Sequence, residues 1–216
     1  MRRQMDTLSN TLHDKRSKKV IFLSHCILNE NTRYLGGAFR EGMIKEIVEV
    51  IQDHGIGVIQ MKCPEKEAWG GVLKPSMWVP LYRKHRVILT ILLPLFIWNT
   101  RRKYKRMAKD VVKDIKDYTA SGFTVVGIVG VSASPTCGVR SSLDIRKFYR
   151  FLQRTCVEDI TKEQVNKQVT TDCLVSASGM FIDEIKKQIE RLNIHVPLYE
   201  HDLQKEIHGD IISFEL

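Results

Sequence analysis

An apolar run that breaks off at a turn sequence constrains this chain more than any other feature. Thr124–Gly138 reads TVVGIVGVSASPTCG: Val, Ile and Gly, then Ser-Ala-Ser-Pro-Thr-Cys-Gly. A short β-branched run with Gly and Pro at its end predicts a strand buried on both faces, as inside a parallel sheet. Open sheets of that kind bind ligands beyond the carboxyl ends of their strands, which puts Cys137 at the mouth of a site. Two more runs end the same way. Lys19–Leu23 leads into Ser24-His25-Cys26, and Gly57–Met61 leads into Cys63-Pro64-Glu65. Three strands each deliver a cysteine just past the carboxyl end, and parallel neighbours bring those ends to one edge.

The segments between the runs have helical spacing. Met43, Ile44, Ile47, Val48 and Ile51 mark one helix and Gly55 stops it; Met107, Ala108, Val111, Val112 and Ile115 mark a longer one that closes near Gly122. Both stand between strands, so two βαβ units are expected, the second enlarged by an irregular apolar excursion over 69–103. Beyond Gly138, Ser141 or Ser142 caps a helix with Ile145, Phe148 and Leu152, and Thr161 with Gln164 fits a capping box. Ser178 caps a helix carrying Phe181, Ile185 and Ile189, His195–Tyr199 reads as the last strand, and Ile211–Leu216 is apolar enough to pack on the body. The expectation is a basic N-terminal arm over 1–17 and a single α/β domain over 18–216. That domain is a Rossmann-like parallel sheet with helices on both faces and its site at the carboxyl ends of the strands.

The formal net charge of +9 tolerates an anionic partner, but much of it sits in local clusters such as Lys15-Arg16 and Arg101–Arg106, which usually form solvated faces. No RNA-binding motif accompanies the basic helix after Tyr104, so nucleic acid is not the expected partner. Five cysteines, an odd number, behind a polar start without a secretory signal argue against a disulfide framework and for a reducing cytoplasm. Val87–Trp98 is strongly apolar, yet its twelve residues contain Pro94. A bilayer-spanning helix needs about 20 residues. The segment therefore reads as buried or as a lid over the site, with an interfacial membrane contact less favoured and no transmembrane helix expected. A homodimer is left open.

Three thiols at strand ends admit several uses. Zinc prefers close pairs such as CxxC, which are absent. A nucleophilic cysteine has a candidate base in His25 beside Cys26, but that leaves two thiols unexplained. An iron–sulfur cluster suits scattered soft thiolates, because the cluster bridges the gaps between strands. Cys156 and Cys173 lie away from the strand ends and read as small buried hydrophobes.

Ser24-His25-Cys26 with Asn31–Gly36 (NTRYLG), Cys63-Pro64-Glu65, and Ser134-Pro135-Thr136-Cys137-Gly138 together resemble the three-motif signature of the thiouracil desulfidase family, in order, over roughly Lys18–Val139. The resemblance implies a 4Fe-4S cluster on Cys26, Cys63 and Cys137 with one open iron. That iron acts as a Lewis acid on the carbon–sulfur bond of a small thiolated substrate such as a thiopyrimidine, and water replaces sulfur without net redox change. Glu65 is then the acid/base and Ser134 orients the substrate or water. Asn31 and Arg33, in the first loop, are the candidate substrate contacts. Lys66–Trp69 and Val87–Trp98 depart from the family pattern, which points to a divergent branch. Two other readings stand beside the desulfidase: a non-catalytic iron–sulfur or redox-sensing protein, and a basic RNA-binding protein acting on thiolated tRNA.

Overall fold

Alternation along the central strands decides the architecture. β1 (Lys19–Leu23) is buried from Val20 to Leu23. Successive side chains of a strand point to opposite faces. Accordingly Ile21 and Leu23 join one core while Phe22 joins another. β3 (Thr124–Val131) divides likewise, Val129 and Val131 to the first core and Ile128 to the second. Apolar side chains on both faces require covering layers on both sides. The computed structural model describes residues 2–82 and 86–208 and supplies these layers.

The sheet has the order β2-β1-β3-β6, with β2 at Gly57–Gln60 and β6 at Leu198–His201. All its pairings are parallel: Leu23 lies opposite Gln60 and Val129, and Val129 opposite Tyr199. This is a Rossmann-like α/β arrangement. On one face pack α3 (Lys45–Asp53), α5 (Pro75–Tyr82) and α7 (Ile145–Arg154), through Ile47, Ile51, Met77, Trp78, Phe148 and Leu152. On the other pack α6 (Arg86–Ala120) and α9 (Met180–Arg191), through Tyr104, Ala108, Ile115, Phe181 and Ile185. Tyr104 and Phe181 meet edge to face with ring centroids 6.2 Å apart.

The remaining helical elements are α1 (Arg2–Thr11), α2 (His25–Leu28), a 3-10 turn (Glu30–Thr32), α4 (Pro64–Ala68), α8 (Lys162–Lys167), a π-helical turn (Gln168–Asp172) and α10 (Leu203–His208). The antiparallel pair β4 (Ser142–Leu143) and β5 (Leu174–Val175) completes the set. Residues 2–11 of the expected arm are therefore helical.

Several local expectations hold and others move. Gly55 ends α3 at φ +62°, and Thr161 with Gln164 forms the capping box of α8. The cap of α7 is Asp144, which accepts from Arg146 N and Lys147 N; Ser142 is instead held in β4. α9 is capped at Gly179, and the Ser178 hydroxyl donates to the Val139 carbonyl. The last strand starts at Leu198 rather than His195. Pro197 has no N–H to pair, and its carbonyl accepts from Ile128 N at 2.9 Å. Ile211–Leu216 lies outside the described residues.

The stretch expected to be an irregular excursion over 69–103 is instead largely helical. A turn at Gly70 and Gly71, both at positive φ, leads into α5, and α6 then runs through Pro94. Nor is the described part of Val87–Trp98 buried: Ile91, Leu92, Leu95 and Trp98 are 69, 49, 59 and 55% exposed. The α6 residues that pack on the sheet and α9 begin at Tyr104, and before them mainly Phe96 turns inward, against Trp69. Among the described residues no helix is long and apolar enough to cross a membrane.

Candidate active site

Each carboxyl strand end is shaped by its own punctuation. After β1 the buried Ser24 donates its N–H to the Val129 carbonyl at 3.0 Å, and the chain turns at once into α2, which carries Cys26. After β2, Cys63 is the N-cap of α4: its sulfur accepts from Lys66 N at 3.4 Å and Pro64 occupies the first turn. After β3, the Ser134 hydroxyl oxygen accepts from Thr136 N and Cys137 N at 3.3 and 2.9 Å. The Cys137 carbonyl accepts from Val131 N at 3.0 Å, folding the loop back on its strand. A Cβ on Gly130 would strike the Cys137 carbonyl, and one on Gly179 the Thr136 carbonyl, so both glycines allow a close approach.

Cys26, Cys63 and Cys137 line one pocket, of about 610 Å³ including its open mouth, together with His25, Arg33, Glu65, Lys74, Ser134 and Thr136. Of the remaining cysteines, Cys173 is buried and its thiol donates to Gln168 Oε1 at 3.3 Å, while Cys156 is exposed, against expectation. Asn31 also departs from its expected place. It is exposed, bonded to Asn29 Oδ1 at 3.0 Å, and does not line the pocket.

Glu65 is buried between a cation and two hydroxyls. Its Oε2 lies 2.5 Å from Lys74 Nζ, and its Oε1 accepts from Thr136 Oγ1 at 3.0 Å and, more loosely, from Ser134 Oγ at 3.5 Å. Burial opposes the Lys74 charge, but the Glu65 carboxylate and the Cys63 sulfur outweigh it and hold the ammonium above its usual range. Lys74 is only 3% exposed and has a φ of +51°, a backbone state uncommon outside Gly and Asn. Sequence reasoning missed it, because a lysine between a Gly pair and a proline, in Gly70–Pro75, looks like a surface loop residue.

The thiols are pushed toward the neutral form. Burial, then the Glu65 charge, lifts Cys63 to about 11. Burial, then Cys26, drives Cys137 higher still. Burial raises Cys26 too, although Arg33 pulls the other way. Cys137 responds to both Cys26 and Cys63, so the three sulfurs form one electrostatic group. Any metal centre binding there must displace three protons. Among the described residues no three His, Cys, Asp or Glu side chains surround one point as a single ion requires. What the pocket offers is three soft ligands spread around its wall, a donor set that fits a cluster.

Arg33 lies on the same wall, held from behind. Its Nη1 donates to Glu206 Oε2 at 2.7 Å and to the Gly37 carbonyl at 3.3 Å, and lies 3.4 Å from Glu30 Oε1. Glu206 also receives His201 Nε2 at 3.0 Å and a short contact from Arg40 Nη1.

No family model matches this chain. An uncharacterized protein of Methanocaldococcus jannaschii, MJ0003, is 22% identical over 202 residues, which cover 92% of this chain and 95% of that one. No solved structure matches. The similarity therefore spans most of the chain but brings no activity with it, and the pocket's own residues carry the functional reading.

Proposed function

We propose that this pocket is the active site of an iron–sulfur-dependent desulfidase that removes sulfur, as sulfide, from a small thiolated compound of the thiopyrimidine kind. The observation that supports it is the meeting of three cysteines, from three parallel strand ends, around one pocket with a buried carboxylate. Cys26, Cys63 and Cys137 would hold a 4Fe-4S cluster with one iron unligated by protein. Bound there, it supplies Lewis acidity at the substrate sulfur, with no net redox change.

The other steps belong to side chains. Glu65 takes a proton from the water whose oxygen replaces sulfur and returns it to the departing sulfide. Lys74 fixes one Glu65 oxygen, which leaves Oε1 toward Thr136 and Ser134. The Ser134 hydroxyl, set at the head of the Cys137 turn, orients the substrate or the water. A non-catalytic sensor would have no use for a buried carboxylate beside its cluster. Reduced thiols at the site go with a reducing compartment such as the cytoplasm.

The test is iron and acid-labile sulfide content of protein purified without oxygen, followed by sulfide release from thiolated bases. About four irons per chain are expected in the wild type, with the centre lost or crippled in Cys137→Ala. Glu65→Gln should keep the iron and lose turnover. Iron-free wild type from that preparation would remove the desulfidase reading.

A further inference from the structure

Arg33 lines the pocket with one edge of its guanidinium unpaired by any protein nitrogen or oxygen. The residue is only 7% exposed and its Nη1 is taken by Glu206 and the Gly37 carbonyl, but Nε and Nη2 are buried with no hydrogen-bond partner. Buried guanidinium donors are normally satisfied, so a lone edge of this kind marks a place where a ligand atom belongs. The pocket it lines is shared with Cys26, whose sulfur lies within reach of the guanidinium.

The Nε–Nη2 edge is a fork of two parallel N–H donors, matched by two acceptors in one plane. A carboxylate fits it. A neutral uracil-type ring does not, because each N–C=O edge offers one donor and one acceptor. Among the described lining residues Glu65 is the sole carboxylate, and it is already committed to Lys74 and Thr136. An anion reaching Arg33 thus meets no competing unpaired carboxylate. Glu206 and Glu30, behind the fork, hold the guanidinium in place.

We infer that the pocket takes a small thiolated carboxylic acid, its carboxylate docked on Nε and Nη2 of Arg33 and its sulfur turned toward the cysteines. This rests on the pocket being the substrate site and narrows the substrate class from thiopyrimidines in general to acidic ones.

The experiment is calorimetric binding of paired probes to metal-free and iron-loaded full-length protein under reducing conditions. The probes are 2-thiouracil, its 6-carboxy derivative, and the methyl ester of that derivative. In wild type the acid should bind about ten- to a hundredfold tighter than the other two, the range of a charge-assisted bidentate contact. In Arg33→Lys, which keeps the charge and loses the fork, that gap should collapse. Should this variant not fold, a second measurement on wild type decides: the acid, and not its ester, should slow iodoacetamide labelling of Cys26, read by mass spectrometry. Equal affinities in wild type, a gap that survives in Arg33→Lys, or unprotected Cys26 would overturn the inference. The desulfidase reading fails separately. Protein that carries no iron yet binds the acid keeps the carboxylate site alone, whereas equal sulfide release with equal KM from acid and ester keeps only the desulfidase.

Discussion

Lys74 and Glu65 form an ion pair of 2.5 Å in the lining of the pocket, and each is less than a tenth exposed as a residue. Removing one member of a buried pair leaves the other desolvated and uncompensated, at a cost of about 3–5 kcal/mol. Lys74→Met should therefore lower stability by that order in urea unfolding. The double variant with Glu65→Gln should recover much of the loss, because no buried charge then remains. Equal damage in the single and double variants would show that the lysine acts through packing rather than through the carboxylate.

Glu206 gives the protein an acid limit. Burial alone would raise this carboxyl, but the His201 hydrogen bond and the Arg33 charge more than offset it and hold it at about 2, against an ordinary 4.5. A carboxylate depressed in the folded state stabilises fully above its unfolded value and loses that contribution as pH falls through the folded one. Stability should thus decline from about pH 4.5 toward pH 2. The neighbouring Glu30, raised by burial and by Glu206, titrates in the opposite sense and offsets part of the decline. Glu206→Gln should be less stable at neutral pH and show a flatter acid limb in denaturant titrations from pH 6 to pH 2. An unchanged slope would detach Glu206 from the acid transition.

Gly130 packs closely against the Cys137 backbone. A methyl there would meet the Cys137 carbonyl and the Val139 side chain, whereas a Cβ on Gly42 would meet nothing within 4 Å. Overpacking costs typically about 1–3 kcal/mol. Gly130→Ala should lower the melting temperature and, by shifting Cys137, the iron content of reconstituted protein, while Gly42→Ala changes neither. Wild-type iron loading in Gly130→Ala would mean that the turn can yield without moving the thiol.

The sequence made the site more legible than its surroundings. β1 and β3 announce themselves because both faces are buried, and the turn residues after each strand end mark where the cysteines emerge. Lys74, His201 and Glu206 were not legible. Glu206 serves Arg33 from 173 residues away, while Lys74 and His201, closer in the chain to Glu65 and Glu206, meet them only through the fold; a buried charge is recognised by its partner, not by its neighbours in the chain. Arg33 was visible as a loop cation, but only the fold shows one edge of it held and the other unpartnered. Val87–Trp98 misled for another reason. Composition reports apolarity, not cover, and the covering elements begin only around Tyr104.

Tyr104 is fully buried, yet its hydroxyl has no hydrogen-bond partner. An unsatisfied buried hydroxyl costs about 1–3 kcal/mol, so deleting it removes a penalty rather than a bond. Tyr104→Phe should match or exceed wild-type stability, while Tyr104→Ala, which empties the space against Phe181, should lose about 3–5 kcal/mol. A clear loss in Tyr104→Phe would reveal a partner for the hydroxyl in solution.

The two halves of α6 should respond in opposite ways to polar substitution. Ile91 and Leu95 are well exposed, and surface changes away from special features usually fall within about 0.5 kcal/mol. Ile115, on the same helix, is fully buried against the sheet and α9. The pair Ile91→Ser with Leu95→Ser should leave thermal unfolding unchanged, and Ile115→Ser should lower it sharply, since it opens a cavity and buries a hydroxyl at once. Comparable losses at both ends would mean that the first turns of α6 are covered in solution, and sedimentation of the double variant beside wild type would then show whether a second copy supplies the cover.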